Sequence, residues 1–190
     1  MKFVYIKDNA ISPEWCEKII KCFELNKSQH EPGLISNKKL DKNSKISRDW
    51  SKKFSNIDFI DTKIKDTLIE NINEYHKFVK GINMVTDAWD IDDYYIIQKY
   101  KPGEGFKSWH HEHGGYKNFP EVDSVRRVLA WMVYLNDVPD GGTEFMDQET
   151  TIEAKVGRLL IWPAYWTHTH RSQISYTLTK YIATGWCLFN

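Results

Sequence analysis

The chain has 190 residues, enough for one domain with a proper hydrophobic core. Its 26 basic and 26 acidic residues cancel, so no global field draws it to nucleic acid or to an anionic membrane surface. A content of 41% hydrophobic and 27% charged residues is that of a folding globular chain, and the longest apolar runs, such as Val128 to Leu135, fall far short of the roughly 18 to 20 residues of a membrane span.

In chain order, Met1 to Asp8 offers only Phe3 to Ile6 as an apolar stretch, too short for a signal-peptide core, and reads as a first strand. Ser12 followed by Pro13 forms a helix start, and Trp15, Ile19, Ile20 and Phe23 recur at helical spacing, which predicts an amphipathic helix over 12–26. From Asn26 to Lys53 the chain is polar and lysine-rich, with Pro32 and Gly33 and no apolar period. This segment reads as a long solvated surface loop and a candidate lid. Ile57, Ile60, Ile64, Leu68, Ile72 and Tyr75 mark one face of a second, longer helix.

After Gly81, β-branched and aromatic runs alternate with turn signals, and strands are expected near 92–101, 106–113, 126–136, 143–146, 150–153, 157–162, 167–172 and 177–188, with a turn at Pro139 to Gly142. The expected fold is mainly β with buttressing helices, a double-sheet barrel or jelly roll. It forms one domain over 1–190, with 1–80 a helical support region and 81–190 the catalytic part. Cys16, Cys22 and Cys187 are odd in number and lack a CxxC spacing, which speaks against a disulfide framework and for a cytoplasmic, reducing location.

Five of the seven histidines lie in two short stretches, Trp109-His110-His111-Glu112-His113 and Trp166-Thr167-His168-Thr169-His170. On a strand, His110 and Glu112 share one face and His111 and His113 the other. An imidazole and a carboxylate two residues apart, completed by a later histidine, form a two-histidine, one-carboxylate set that leaves open positions on a non-haem Fe(II). HExxH fails, because Gly115 stands where its second histidine belongs. A cupin-type site through His111 and His113 begins well after Gly105 but then meets Lys117 and Asn118 where its glutamate is due. Taken singly, each histidine is also compatible with an exposed polar residue near a loop.

Further residues fall in a familiar order: Tyr100-Lys101-Pro102-Gly103, His110 and Glu112, Tyr134-Leu135-Asn136-Asp137, Gly141-Gly142-Thr143-Glu144-Phe145, Gly157, Pro163, His170-Arg171, Lys180 and Gly185-Trp186. Over about half the chain this pattern resembles the Fe(II)/2-oxoglutarate dioxygenases of the prolyl 4-hydroxylase-like branch, including small phage-encoded versions. The resemblance implies a distorted double-stranded β-helix with iron held by His110, Glu112 and a distal histidine. Glu112 stands where the family has aspartate. Of the two distal candidates, His170 lies ten residues before the basic Lys180 and His168 twelve, and the family interval favours His170, leaving His168 nearby.

On periodicity alone, Lys180 reads as a strand-edge lysine facing water, on the same face as Ile182, Thr184 and Trp186. The resemblance implies instead a buried ammonium that anchors the distal carboxylate of 2-oxoglutarate. It gives similar co-substrate roles to Tyr134 and Tyr100, each of which also reads as a core tyrosine. Trp109, Trp131, Trp162, Trp166 and Trp186 read as core and receive no role. Gly114, Gly115 and Pro120 suggest an irregular connection after the metal stretch.

The implied activity is hydroxylation of a C–H bond, with 2-oxoglutarate and dioxygen converted to succinate and carbon dioxide, ascorbate being admitted as an accessory. No residue is assigned as a general base. The expected partner is a peptide, protein or small-molecule substrate, a prolyl or other peptidyl side chain foremost, in the cytoplasm, or the host cytoplasm for a phage-encoded chain. The alternatives are a cupin-type metal enzyme and a non-catalytic, metal-stabilised β-barrel binding module.

Overall fold

The computed structural model describes residues 2–35, 39–114 and 123–190. Helix α1 (Pro13–Leu25) starts where Ser12 caps it, its side chain accepting from the Trp15 amide at 3.4 Å, and it buries Cys16, Ile19 and Phe23. Helix α2 (Phe59–Phe78) is capped by Asp58, whose carboxylate accepts from the amides of Ile60 and Asp61 at 2.8 and 3.2 Å. That cap fixes the start of α2 two residues after Ile57, which consequently stands 98% exposed rather than on the apolar face.

A seven-stranded antiparallel sheet carries the molecule, in the order β1 (Tyr5–Lys7), β10 (Leu159–Pro163), β7 (Arg127–Tyr134), β12 (Lys180–Phe189), β5 (Trp89–Tyr100), β4 (Arg48–Lys53) and β2 (Glu31–Pro32). A second sheet orders β11 (His170–Ser172), β8 (Val138–Phe145) and β9 (Thr150–Ala154), and β3 (Lys45–Ile46) pairs with β6 (Gly105–Phe106). Strand alternation divides the buried side chains of the large sheet between its two faces. Leu129, Trp131, Val133, Leu159, Ile161 and Ala183 pack with the helices. Ala130, Met132, Tyr134, Leu160, Trp162 and Ile182 pack with Phe145, Ile152 and Ala154 of the small sheet. The result is helices, large sheet and small sheet in three layers, the expected distorted double-stranded β-helix with buttressing helices.

Four expectations are corrected. The segment 26–53 is not a loop but supplies β2, β3 and β4, and β1 and β4 are strands of the large sheet, so the first eighty residues are not simply helical support. Strand β4 escapes a periodicity reading because buried charge, not apolar alternation, fixes it: Lys52 Nζ lies 2.6 Å from Asp61 Oδ1 and 3.1 Å from Asp58 Oδ2. Likewise Lys45 is 5% exposed and paired with Asp49 at 2.7 Å, and Lys38 lies outside the described residues. The strand expected over 106–113 is only β6 and an isolated bridge between His110 and His170.

The strand expected over 167–172 begins as a 3-10 turn at Trp166–His168. Finally, Pro139 to Gly142 do not form a turn between strands. They bulge within β8, whose register to β9 jumps from Val138 opposite Ala154 to Thr143 opposite Ile152. A side chain on Gly142 would come within 2.4 Å of the Ile152 carbonyl, so the bulge needs glycine there.

Candidate active site

His110, Glu112 and His170 offer one ligand atom each within 4.8 Å of one another. Backbone hydrogen bonds, not strand alternation, bring them together. His110 and His170 exchange both amide-to-carbonyl bonds, at 3.0 and 2.8 Å, while the amides of Glu112 and His113 both donate to the Ala164 carbonyl, at 2.9 and 2.7 Å. The stretch 110–113 is thereby stitched to both ends of the turn that follows β10.

Each imidazole is oriented in the same way. Nδ1 of His110 sits 2.9 Å from the Ser108 carbonyl and Nδ1 of His170 sits 2.9 Å from the His168 carbonyl, so in both rings Nδ1 carries the proton and Nε2 presents its lone pair. Phe106 stacks on His110 with centroids 3.5 Å apart and planes 8° apart, and Trp162 meets His170 edge-on at 5.0 Å. The two Nε2 atoms converge on Glu112 Oε1, at 3.6 Å from His110 and 3.5 Å from His170.

Burial, seconded by the neighbouring His170, lowers the pKa of His110 and keeps the ring neutral. Burial alone would push the Glu112 carboxyl up, but its contacts with the two histidines and the nearby Arg127 charge prevail and hold it well below the usual carboxylate range. Its second oxygen, Oε2, accepts from Trp186 Nε1 at 2.9 Å and from Arg127 Nη1 at 3.1 Å. Two imidazole nitrogens and one carboxylate oxygen facing a common point suit a divalent iron and, with three protein donors, leave it open positions. No fourth ligand closes this shell among the described residues.

A cleft of about 840 Å³ opens beside the triad between the two sheets. Lys180, Ile182, Thr184 and Trp186 all line it, as strand alternation predicts. Lys180 is 4% exposed, and its ammonium donates to Gly141 O and Ser172 Oγ, both at 2.6 Å, and to Gln173 O at 3.4 Å. All three partners are neutral, and burial lowers its pKa to about 8. Tyr100 also lines the cleft, its ring 5.5 Å from the Lys180 ammonium and its hydroxyl donating to Gln98 Oε1 at 2.6 Å.

Tyr134 departs from expectation. Its hydroxyl is fully buried against Thr143 Oγ1 at 2.6 Å and the Ile152 carbonyl at 3.4 Å, because its strand face meets the small sheet there, and the residue that lines the cleft is Thr143.

The other histidines are not part of the triad. His111 is exposed at the cleft mouth, and His113 bonds the Arg127 carbonyl at 3.0 Å and packs on Tyr165, so the two do not form a cupin-type pair. His168, expected beside His170 on one strand face, sits in the 3-10 turn and reaches the Lys2 carbonyl at 3.3 Å and the Phe3 ring. It serves the cluster through its backbone carbonyl alone. Arg127 and Ser172 carried no functional signal in the sequence, and Thr143 and Trp186 stood in the family-like pattern with no role assigned. The alternation from Lys180 also pointed to Trp186, as a face-mate of the lysine.

Among solved structures, the viral collagen prolyl hydroxylase of Paramecium bursaria Chlorella virus-1, in complex with 2OG, is 20% identical, covers 100% of this chain and 97% of its own, and superposes with a TM-score of 0.73. A Pseudomonas putida prolyl-4-hydroxylase is 12% identical over 98% of this chain and 92% of its own, with a TM-score of 0.68. A Trichoplax adhaerens prolyl hydroxylase, in complex with a hypoxia inducible factor oxygen degradation domain peptide fragment, is 15% identical over 100% of this chain and 84% of its own, with a TM-score of 0.73. At these identities the likeness is one of fold. No curated protein sequence matches the chain. The family model described as the 2OG-Fe(II) oxygenase superfamily matches residues 95–188, which hold the whole triad and the cleft lysine, and the chain belongs to that superfamily, a 2-oxoglutarate/Fe(II) dioxygenase.

Proposed function

We propose that His110, Glu112 and His170 hold Fe(II), that Lys180 with Ser172, Thr143 and Tyr100 receives 2-oxoglutarate, and that the hydroxylated group is a prolyl or other peptidyl side chain. The observation that carries this reading is the pair of imidazole Nε2 atoms and one carboxylate oxygen facing a common point at the wall of a cleft that is also lined by a buried ammonium. Bound Fe(II), with 2-oxoglutarate and dioxygen, supplies the chemistry that places one oxygen atom in a C–H bond and yields succinate and carbon dioxide.

The chain's own residues bind, orient and exclude water. The backbone bonds on both Nδ1 atoms fix the rings with Nε2 turned to the ion. Lys180 is a buried cation with only neutral partners, a state that an incoming carboxylate relieves. Ser172 Oγ, already on that ammonium, and Thr143 Oγ1, held by Tyr134, are hydroxyls suited to the same carboxylate. Tyr134 acts through Thr143. Met132, Ile182 and Trp162 give the inner cleft dry walls, which keep water from the oxidising centre.

A peptidyl substrate is supported by the size of the cleft and by the apolar and aromatic side chains of Pro32, Leu34, Ile35, Trp50 and Tyr94 in its lining. The solved relatives named for acting on proline, one of them holding a peptide, support it by analogy of fold. The free thiols of Cys16, Cys22 and Cys187 support a reducing, cytoplasmic setting, and no helix among the described residues is long and apolar enough to cross a membrane. The test is incubation with Fe(II), 2-oxoglutarate, dioxygen and a panel of proline-containing peptides. The expected result is succinate in equal amount to peptide gaining one oxygen atom. Succinate released at the same rate whatever peptide is present, with no peptide modified, contradicts the peptidyl substrate.

A further inference from the structure

Glutamate is one methylene longer than aspartate, and a carboxylate on that longer arm can ligate an ion through one oxygen or through both. At Glu112 the two oxygens are sharply distinguished. Oε1 alone faces the imidazoles, at 3.6 and 3.5 Å, while Oε2 accepts from Trp186 Nε1 at 2.9 Å and from Arg127 Nη1 at 3.1 Å. Arg127 Nη1 also donates to the backbone carbonyl of Glu112 at 3.1 Å, so one guanidinium nitrogen grips both ends of the residue. The guanidinium lies over the Trp186 ring, 3.5 Å from its centroid. The two donors come from neighbouring strands, with Arg127 at the start of β7 opposite Leu188 of β12, two residues beyond Trp186. Such a brace on rigid strands fixes which oxygen points inward.

We propose that Arg127 and Trp186 are positioning residues that make Glu112 a one-oxygen ligand and so preserve the open positions that the co-substrate and dioxygen require. The inference rests on the assignment of Glu112 as a ligand. With Oε2 released, the carboxylate swings to bind through both oxygens and takes one further position. On a roughly six-coordinate ion that leaves about two exchangeable sites instead of about three.

The test uses Mn(II) alone as the probe, with coordinated waters counted by water-proton relaxation of the loaded protein. The wild type should retain about three waters, the double variant Arg127→Met/Trp186→Phe about two, the count expected for two-oxygen ligation, and each single variant, in which Oε2 keeps one donor, a count between them. Arg127→Lys, which keeps a donor for Oε2, should return the count towards that of the wild type. Trp186→Phe preserves the ring and its packing, so a folding defect in Arg127→Met would leave the question answerable. A wild-type water count in both Arg127→Met and Trp186→Phe overturns the brace. Glu112→Ala is the separate control: unchanged Mn(II) affinity in that variant overturns the ligand assignment itself.

Discussion

The inner wall of the cleft, Lys180 to Trp186 on β12, and the histidine-bearing stretch from Phe106 to Glu112 meet at the same cluster but are held in place differently. On β12 four side chains face the cleft because a strand alternates, and the neighbouring strands β5 and β7 lock its register along nearly its whole length. The 106–112 stretch has one short strand and one bridge, and its side chains converge because single amides find the carbonyls of Ala164 and His170. The same contrast separates β7, buried through apolar side chains, from β4, fastened by Lys52 to Asp58 and Asp61. Regular walls set the shape of the site. Individually tied segments set its chemistry, and each tie is a place where one substitution has a specific effect.

The largest effect is expected at the triad. Glu112→Ala or His110→Ala should weaken Fe(II) binding more than about a hundredfold, beyond the loss typical of a supporting residue, because each removes a direct donor. Both side chains are also partly exposed, so the thermal transition should move little. Equilibrium dialysis checks the affinity, and full iron binding in either variant would break the assignment.

Next is the fastening of β4. Lys52→Met leaves Asp61, whose side chain is 2% exposed, without its cation, and loss of one partner of a buried pair costs about 3 to 5 kcal/mol. Urea unfolding should show this as a lowered midpoint with little change in slope. A variant as stable as the wild type would mean that β4 is held by its backbone ladder alone.

A smaller effect is expected at the cleft lysine. Lys180→Met should weaken 2-oxoglutarate binding roughly ten- to hundredfold, the equivalent of about 1.5 to 3 kcal/mol for a charge-assisted hydrogen bond, with iron affinity nearly unchanged. Lys180→Arg should keep part of it. The same residue predicts a pH profile. The ammonium form binds the carboxylate, and with a pKa of about 8 in the free protein the affinity should be level below that pH and decline above it. For folding the sign is opposite: between about pH 8 and the ordinary 10.5 the unfolded chain holds more protons, so stability from this residue rises with pH. Calorimetric titration of 2-oxoglutarate across pH 7 to 10, run against Lys180→Met, tests the first of these, and a profile shared by both proteins would refute it.

The smallest effect is expected at His168, which the sequence placed on one face with His170. His170→Ala should eliminate succinate formation, whereas His168→Ala should only reduce it, since His168 contributes its backbone carbonyl to the His170 ring while its side chain packs against Lys2 and Phe3. Equal losses in a succinate assay would show that the 3-10 turn depends on the His168 ring.

These contrasts also explain what could be read in advance. Helix α1 was legible because the Ser12 cap and apolar spacing agree, α2 through its apolar spacing alone, and β7, β10 and β12 because branched and aromatic residues alternate between two cores. Strands β2 to β4 were not, since they are polar: β2 is held by its pairing to β4, and β3 and β4 by ion pairs of Lys45 with Asp49 and of Lys52 with Asp58 and Asp61. His170 and Lys180 were named from the spacing of a resemblance and His110 and Glu112 from strand alternation, yet a shared strand face is not the geometry that unites the latter pair. Ser172 and Arg127 carry no local signal, because their place at the cleft exists only once strands distant in sequence have paired.

The measurement that bears most directly on the central claim is the visible spectrum of the protein under anaerobic conditions with Fe(II) and 2-oxoglutarate. If the triad holds iron and Lys180 orients the co-substrate onto it, a weak metal-to-ligand charge-transfer band should appear on adding 2-oxoglutarate, be absent in Glu112→Ala, and need higher 2-oxoglutarate in Lys180→Met. A band of undiminished strength in Glu112→Ala, or no band in the wild type at saturating iron and 2-oxoglutarate, would contradict the account.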